Sequence, residues 1–275
     1  MPNFIVGARL HDYGKGTPDE LFGKVSADGF AAVQLAYKKC VPTVKSYADV
    51  TDALVAETVA AEKAHRIQVA VLGTYVELAI NDESRLCNVA DFKSQLAVCK
   101  ALGAGCIGTE TTAMSKQPAG TTRAQAQELL CRSLAEILPA AEALGVTVGI
   151  EPVTYHSMNS AAATRHILDM MRSPNLKVIF DMSNLVSAEN VDEQDRIWYD
   201  MGALLGDQIV AVHFKGQAFA PDGSLLHTSL EESRTDYAGA FAMLRQLPQP
   251  ALPVLREEAV PARAASDIAF MKGFF

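Results

Sequence analysis

Four strongly polar residues stand at the ends of short apolar runs, each about one strand–helix unit from the next. Glu151 closes the run in VTVGIEP (146–152), Asp181 closes LKVIFD (176–181), His213 closes IVAVH (209–213), and Glu257 follows the apolar part of PVLREE (253–258). The intervals are 30, 32 and 44 residues, and each contains helix-like sequence. Carboxylates and imidazoles are costly at the ends of buried strands unless something pairs with them. Barrels of alternating strands and helices place their chemistry at such strand ends. Three carboxylates and one imidazole converging there read as a divalent-metal site. That donor set suits Mn2+ best, with Mg2+ and Co2+ as hard or borderline alternatives. Zn2+ also fits, although it more often draws additional His or Cys.

Each residue alone has a plainer reading. Glu151 before Pro152 could open an exposed loop, Asp181 could cap the segment after it, and a lone His213 after VAV could be a satisfied core histidine. Which of Glu257 and Glu258 faces inward depends on strand register; Glu257 is preferred because it follows its apolar run directly, as Glu151 does. The joint pattern favours the site. Glu151 and Glu257 would approach a bound ligand from different sides, since their strands are not neighbours. Two carboxylates flanking a metal-chelated hydroxy-carbonyl can each exchange a proton with the adjacent carbon, while the metal stabilises the enediolate between the transfers.

The elements that must position these groups alternate short β-rich runs with longer amphipathic ones, the pattern of a parallel sheet with crossover helices. Strands are expected at 4–10, 31–36, 68–73, 106–109, 147–151, 177–181, 209–213 and 253–257. Thr17-Pro18-Asp19-Glu20 opens a helix with an N-cap, a proline in the first turn and acidic residues, and Asp28-Gly29 stops it. A long helix is expected over 122–144, kinked or joined at Pro139. Further helices are expected at 160–172, 191–205, 236–247 and 262–275. GAGCIG (103–108) runs into a strand and reads as a helix stop rather than a phosphate loop. No GxGxxG or Walker motif follows the first strand. Eight strands in 275 residues without a linker fit one (β/α)8 TIM barrel spanning 1–275.

Bulk composition narrows the partners. A formal charge of −8 argues against broad binding to nucleic acid or anionic membrane, while leaving room for a small phosphorylated molecule. Five widely spaced cysteines with no C-x-x-C pair argue against a disulfide framework or structural zinc. Neither a basic-then-apolar leader nor an 18-residue apolar run is evident, so a cytoplasmic location is expected.

The combination of GIEP (149–152), FDxxN (180–184), VHxK (212–215) and LREEAVPARAASDIAFM (255–271), with RLHDYG at 9–14, resembles the sugar phosphate isomerase/epimerase family, whose members are xylose-isomerase-like TIM barrels. The resemblance covers essentially the whole chain. It implies that Glu151, Asp181, His213 and Glu257 hold the metal, with Glu151 and Glu257 doubling as the acid/base pair. It also leaves room for a homo-oligomer. The chain departs from the ketose 3-epimerases of that family. Asn184 stands where they carry a His three residues after the aspartate, Ser157 where they carry a second glutamate, and TSLEESR (228–234) where many relatives have a glycine-rich loop.

Other residues are expected at the same pocket. His11 at the end of the first strand, Gln34 in the second and Asn184 could bind hydroxyls. Glu110 follows the fourth strand as a substrate or helix-capping group, and His156 is a second-layer or substrate contact. Lys215, two residues past His213 and on the same face, could reach substrate oxygens or a phosphate. Arg256 should point into the wall as part of a structural ion pair. Tyr13, Tyr75 and Trp198 are wall or lid candidates, with Trp198 better placed in the core. The leading function is a metal-dependent sugar or sugar-phosphate isomerase/epimerase working through a cis-enediolate. A polyol-ketone (inosose-type) dehydratase on the same metal is the main alternative. An apurinic endonuclease-like DNA repair enzyme is remote, because it needs a His-rich trinuclear zinc site and a basic groove.

Overall fold

The computed structural model describes residues 1–80 and 82–275. Eight parallel strands close a barrel: β1 (Asn3–Arg9), β2 (Ala32–Leu35), β3 (Gln68–Gly73), β4 (Cys106–Glu110), β5 (Val148–Glu151), β6 (Leu176–Asp181), β7 (Ile209–Phe214) and β10 (Ala251–Arg256). They neighbour one another in chain order, and β10 pairs with β1 to close the ring. Between β7 and β10, β8 (Gly216–Phe219) and β9 (Leu225–Thr228) form a separate antiparallel hairpin. The expected eight strands are present with ends shifted by up to two residues; the hairpin was not anticipated. Its strands are short, and β9 is largely exposed, so it lacks the apolar alternation that marks a strand.

Around the ring run α1 (Pro18–Ala27), the short α2 (Tyr37–Cys40), α3 (Asp52–His65), α4 (Asp82–Leu102), α5 (Arg123–Leu144), α6 (Ala161–Met171), α7 (Gln194–Leu205), α8 (Tyr237–Leu244) and α9 (Ala264–Lys272). Local chemistry sets their ends. The Glu20 N–H donates to Thr17 Oγ1, and the Thr17 N–H donates to Glu20 Oε2, a reciprocal cap. Gly103 and Gly145 adopt φ of +65° and +67° just beyond α4 and α5, where a helix ends most cheaply on glycine. GAGCIG is therefore the expected helix stop. Pro139 does not divide α5, which runs unbroken for 22 residues. Its neighbours Ile137, Leu138 and Ala141 are buried against the barrel, and packing of that face offsets the lost donor.

The main core lies between strands and helices; Trp198 and Tyr13 belong to it. A smaller cluster, with Ala32, Ala70, Cys106, Ile179, Ala211 and Leu255, belongs to the strands themselves. Several of these stand two residues before a polar strand-end group: Ala32 before Gln34, Ile179 before Asp181, Ala211 before His213, Leu255 before Glu257. Since strand side chains alternate with period two, each polar group lies directly above this apolar plug. Gly108 and Gly149 stand likewise before Glu110 and Glu151, and make room for Ile179: a Cβ on either would come within 2.5 Å or 2.8 Å of its side chain.

Gly7 is more tightly constrained. A Cβ there would meet the Ala32 carbonyl oxygen and Leu255 at 2.5 Å, and the oxygen belongs to backbone that cannot rotate away. Gly7→Ala is therefore expected to destabilise the barrel by about 1–3 kcal/mol, measured by urea unfolding. An unchanged midpoint would show that the β1–β2 seam opens without cost.

Candidate metal and active site

The polar strand-end groups converge at the C-terminal mouth of the barrel, in a pocket lined by Gln34, Tyr75, Glu110, Glu151, His213 and Glu257 over a floor that includes Gly73 and Gly108. The pocket and its open mouth enclose about 280 Å³. Glu151, Asp181, His213 and Glu257 are 3%, 0%, 2% and 4% exposed, so their charges must be answered by protein groups around them rather than by water.

Asn184 Nδ2 donates to Glu151 Oε1 at 2.6 Å. The backbone N–H groups of Ser183 and Asn184 donate to Asp181 Oδ1 at 2.8 and 2.9 Å, while Lys215 Nζ stands 2.9 Å from Asp181 Oδ2 and 3.7 Å from Glu257 Oε2. His213 Nδ1 lies between two carboxylates, 3.1 Å from Glu151 Oε2 and 3.5 Å from Glu257 Oε1. Gln34 Nε2 donates to Tyr75 Oη at 2.8 Å and reaches Glu257 Oε1 at 3.4 Å.

The electrostatics follow. Burial works against a charged His213, but the carboxylates of Glu257 and Glu151 outweigh it and push the imidazole up to about 9. Burial likewise favours neutral Glu257, yet His213, Lys215 and Arg9 together hold its carboxyl down at about 2. Lys215 is raised because Asp181 and Glu257 outweigh its burial. Asp181 is raised by burial, only partly offset by Lys215. Glu110, half-exposed at the rim, is pushed up to about 8 by partial desolvation and by the charge of Glu151.

This negative potential suits a divalent cation. One donor atom each from Glu151, Asp181 and His213 lie within 4.8 Å of one another. His213 Nε2 is buried without a hydrogen bond, while Nδ1 faces the carboxylates of Glu151 and Glu257, where a bound cation would take the place of a proton. The potential that draws a proton to His213 would equally favour a cation, which needs the imidazole neutral.

Of the two candidate glutamates, Glu257 turns into the pocket. Glu258 turns outward, 40% exposed, with φ +55° and an ion pair to Arg9 at 2.8 Å. The remaining sequence candidates divide. Gln34 and Glu110 line the pocket. Asn184 and Lys215 are committed to the carboxylates. His11 lies beyond the end of β1, in the 3₁₀ turn Leu10–Tyr13, edge-on to Tyr75 at 5.7 Å. His156 sits behind Glu110, 3.9 Å from its carboxylate, rather than among the lining residues. Burial lowers both His11 and His156 to about 4, with Arg9 adding to the effect at His11, so both are neutral at pH 7. Glu110 caps no helix: the next helical turn, Met114–Lys116, is preceded by Ala113. Arg256 pairs with Asp267 at 2.8 Å in the wall.

Arg9 was missed as a site residue. It ends β1 two residues after inward-facing Gly7, so the rule that found the other strand-end groups points to it rather than to His11. Tyr75 forms part of the wall, whereas Tyr13 is core and donates to Asp28.

A closed eight-stranded α/β barrel with a carboxylate–imidazole cluster at its C-terminal mouth defines the class. Residues 22–273 match the model of the xylose isomerase-like TIM barrel family, and the chain belongs to that family. No protein of curated function is detectably similar to it in sequence. Its structure is similar to that of a D-tagatose 3-epimerase-like protein (TM-score 0.77, 13% identity, covering 100% of this chain and 97% of that one). It is similar to the IolI protein with a bound zinc atom (0.74, 15%, 100% and 96%), and to the 3-keto-D-glucoside 4-epimerase YcjR of E. coli (0.72, 17%, 98% and 100%). At these identities the likeness is one of fold. Among the described residues, no helix is long and apolar enough to cross a membrane.

Asn184 gives Glu151 a short neutral hydrogen bond at 2.6 Å. Asn184→Ala is expected to cost roughly 1–3 kcal/mol by leaving that buried carboxylate under-satisfied, read by urea unfolding. Wild-type stability in this variant would mean that Asn184 does not hold Glu151.

Proposed function

We propose that this protein is a divalent-metal-dependent sugar or sugar-phosphate isomerase/epimerase. The observation that carries the reading is the placement of Glu151 and Glu257 on two sides of His213 Nδ1, with Asp181 completing a buried donor set. Glu151, Asp181, His213 and Glu257 would hold the ion, Mn2+ being the best match to three carboxylates and one imidazole. A zinc ion in the similar IolI structure makes Zn2+ the first alternative to test, with Mg2+ and Co2+ beside it. When bound, the ion would polarise the substrate carbonyl and offset the charge of an enediolate.

The protein's own groups carry the protons. One of Glu151 and Glu257 removes a proton from the carbon beside the carbonyl, and the other returns one from the opposite side. Asn184 fixes Oε1 of Glu151 and so leaves Oε2 toward the pocket. Gln34 and Glu110 stand where substrate hydroxyls would lie, and Tyr75 offers a flat wall. His11 is placed to contact substrate only at the rim. Lys215 offsets the carboxylate charge rather than reaching outward. Sugar epimerases among the similar structures support sugars as the substrate class.

A dehydratase of the inosose type shares the proton abstraction and differs in losing hydroxide afterward. Glu110, beside Glu151 in register on the neighbouring strand, is the group available to protonate such a leaving group.

Glu151→Gln should preserve the fold and lower turnover by about 10²–10⁴-fold, because the amide keeps the shape and loses the base. Unchanged turnover would remove Glu151 from the chemistry. His213→Ala should lower Mn2+ occupancy, measured by elemental analysis after dialysis; full occupancy would return His213 to the role of a core residue. The decisive assay is proton NMR of the Mn2+-loaded protein with ketoses and ketose phosphates in D2O. Deuterium entering beside the carbonyl, and lost with EDTA, would establish the reading. Loss of water from a polyol ketone instead would select the dehydratase.

A further inference from the structure

The reading above makes Glu257 a ligand and proton carrier, and the following inference rests on it. β10 ends at Arg256, and beyond it the Glu257 N–H still donates to the Phe214 carbonyl of β7 at 3.0 Å, which holds its backbone. The Glu257 side chain and the two residues after it are held in addition from the far end of the chain. Arg9, the last residue of β1, donates through Nε and Nη2 to Asp12 Oδ1 at 3.0 and 2.7 Å. The same Nη2 meets Glu258 Oε1 at 2.8 Å, and Nη1 stands 3.8 Å from Glu257 Oε2. Asp12 completes the grip, its Oδ2 accepting the Ala259 N–H at 2.9 Å. One guanidinium and one carboxylate thus clasp three consecutive residues, 257–259, across the β1–β10 seam. Within them Glu258 has φ +55°, a conformation that a non-glycine residue keeps only where its surroundings impose it.

The clasp distinguishes the two oxygens of Glu257. Oε2 faces Arg9 Nη1 and Lys215 Nζ, at 3.8 and 3.7 Å. Oε1 faces His213 Nδ1 at 3.5 Å and Gln34 Nε2 at 3.4 Å. We infer that Arg9 is a positioning residue for this site: with Asp12 it locks the 257–259 turn, draws Oε2 of Glu257 to the wall, and leaves Oε1 to serve the metal and the substrate. Arginine is required because its planar fork contacts all three carboxylates at once, which a lysine ammonium cannot do.

The test compares wild type with Arg9→Met, Arg9→Lys and Asp12→Asn, each checked for folding by circular dichroism. Crystal structures report the orientation of Glu257, calorimetric titration reports Mn2+ affinity, and NMR with D-fructose in D2O reports turnover. Arg9→Met is expected to release Glu257 from its contact with His213 and to raise the Mn2+ Kd by about 10–100-fold. Where D-fructose is turned over, kcat should fall while KM changes little. Arg9→Lys and Asp12→Asn should give intermediate values, and they carry the test if Arg9→Met does not fold. Glu257 unmoved in the variants, with Mn2+ binding as in wild type, overturns the inference. If wild type binds no Mn2+ and exchanges no proton, the functional reading fails instead, and the orientation of Glu257 in the crystal structures still decides the role of Arg9.

Discussion

Burial of several carboxylates in one water-poor space is the constraint around which this molecule is arranged. Glu151, Asp181 and Glu257 lie at the mouth of the barrel with almost no solvent contact, and an unanswered charge there would be prohibitive. Every group that touches them supplies a proton or a positive charge: Lys215 between Asp181 and Glu257, Arg9 behind Glu257, Asn184 on Glu151, and the N–H groups of Ser183 and Asn184 on Asp181. His213, drawn toward a proton by its neighbours, occupies the centre of that potential. A divalent ion at this position would be an extension of the same compensation, not an addition to it.

The barrel makes such a concentration of charge tolerable by separating it from the core through the period of the strand. Directly beneath the charged layer lies a plug of small and branched residues, and glycines at 108 and 149 let Ile179 fill the centre. The hairpin β8–β9 after β7 adds contact on the same side, where Gln217 Nε2 donates to the carbonyls of Ser183 and Val186 and so steadies the loop that carries Asn184. The loop that presents Glu151's partner is therefore braced by a second, separate stretch of chain.

Membership in the xylose isomerase-like TIM barrel family fits this arrangement, but a shared barrel does not choose a reaction. What argues for proton transfer next to a carbonyl is local: two glutamates on different strands approach one imidazole from different sides, with a third carboxylate beside it. Asn184, standing where the resemblance places a titratable histidine, here holds Glu151, and Ser157 is fully buried outside the pocket lining.

Much of this was legible in the chain. Short apolar runs ending in Glu151, Asp181 and His213 announce strands β5, β6 and β7, because only a residue with a partner survives at a buried strand end. The same regularity yields eight strands and hence closure of a single barrel. Tertiary structure decided what depends on contacts between distant segments. It turned Glu257 inward and Glu258 outward: the Glu257 N–H stays paired with the Phe214 carbonyl, and Asp12, 247 residues before Ala259, joins Arg9 in setting the turn beyond it. It engaged Lys215 with the carboxylates of Asp181 and Glu257 rather than leaving it free for substrate oxygens or a phosphate, and carried α5 through Pro139 because the helix face packs on the barrel. It also made a hairpin of residues with no apolar alternation. Period and composition are local properties that the sequence carries by itself; charge pairing across a closed ring exists only once the ring has formed.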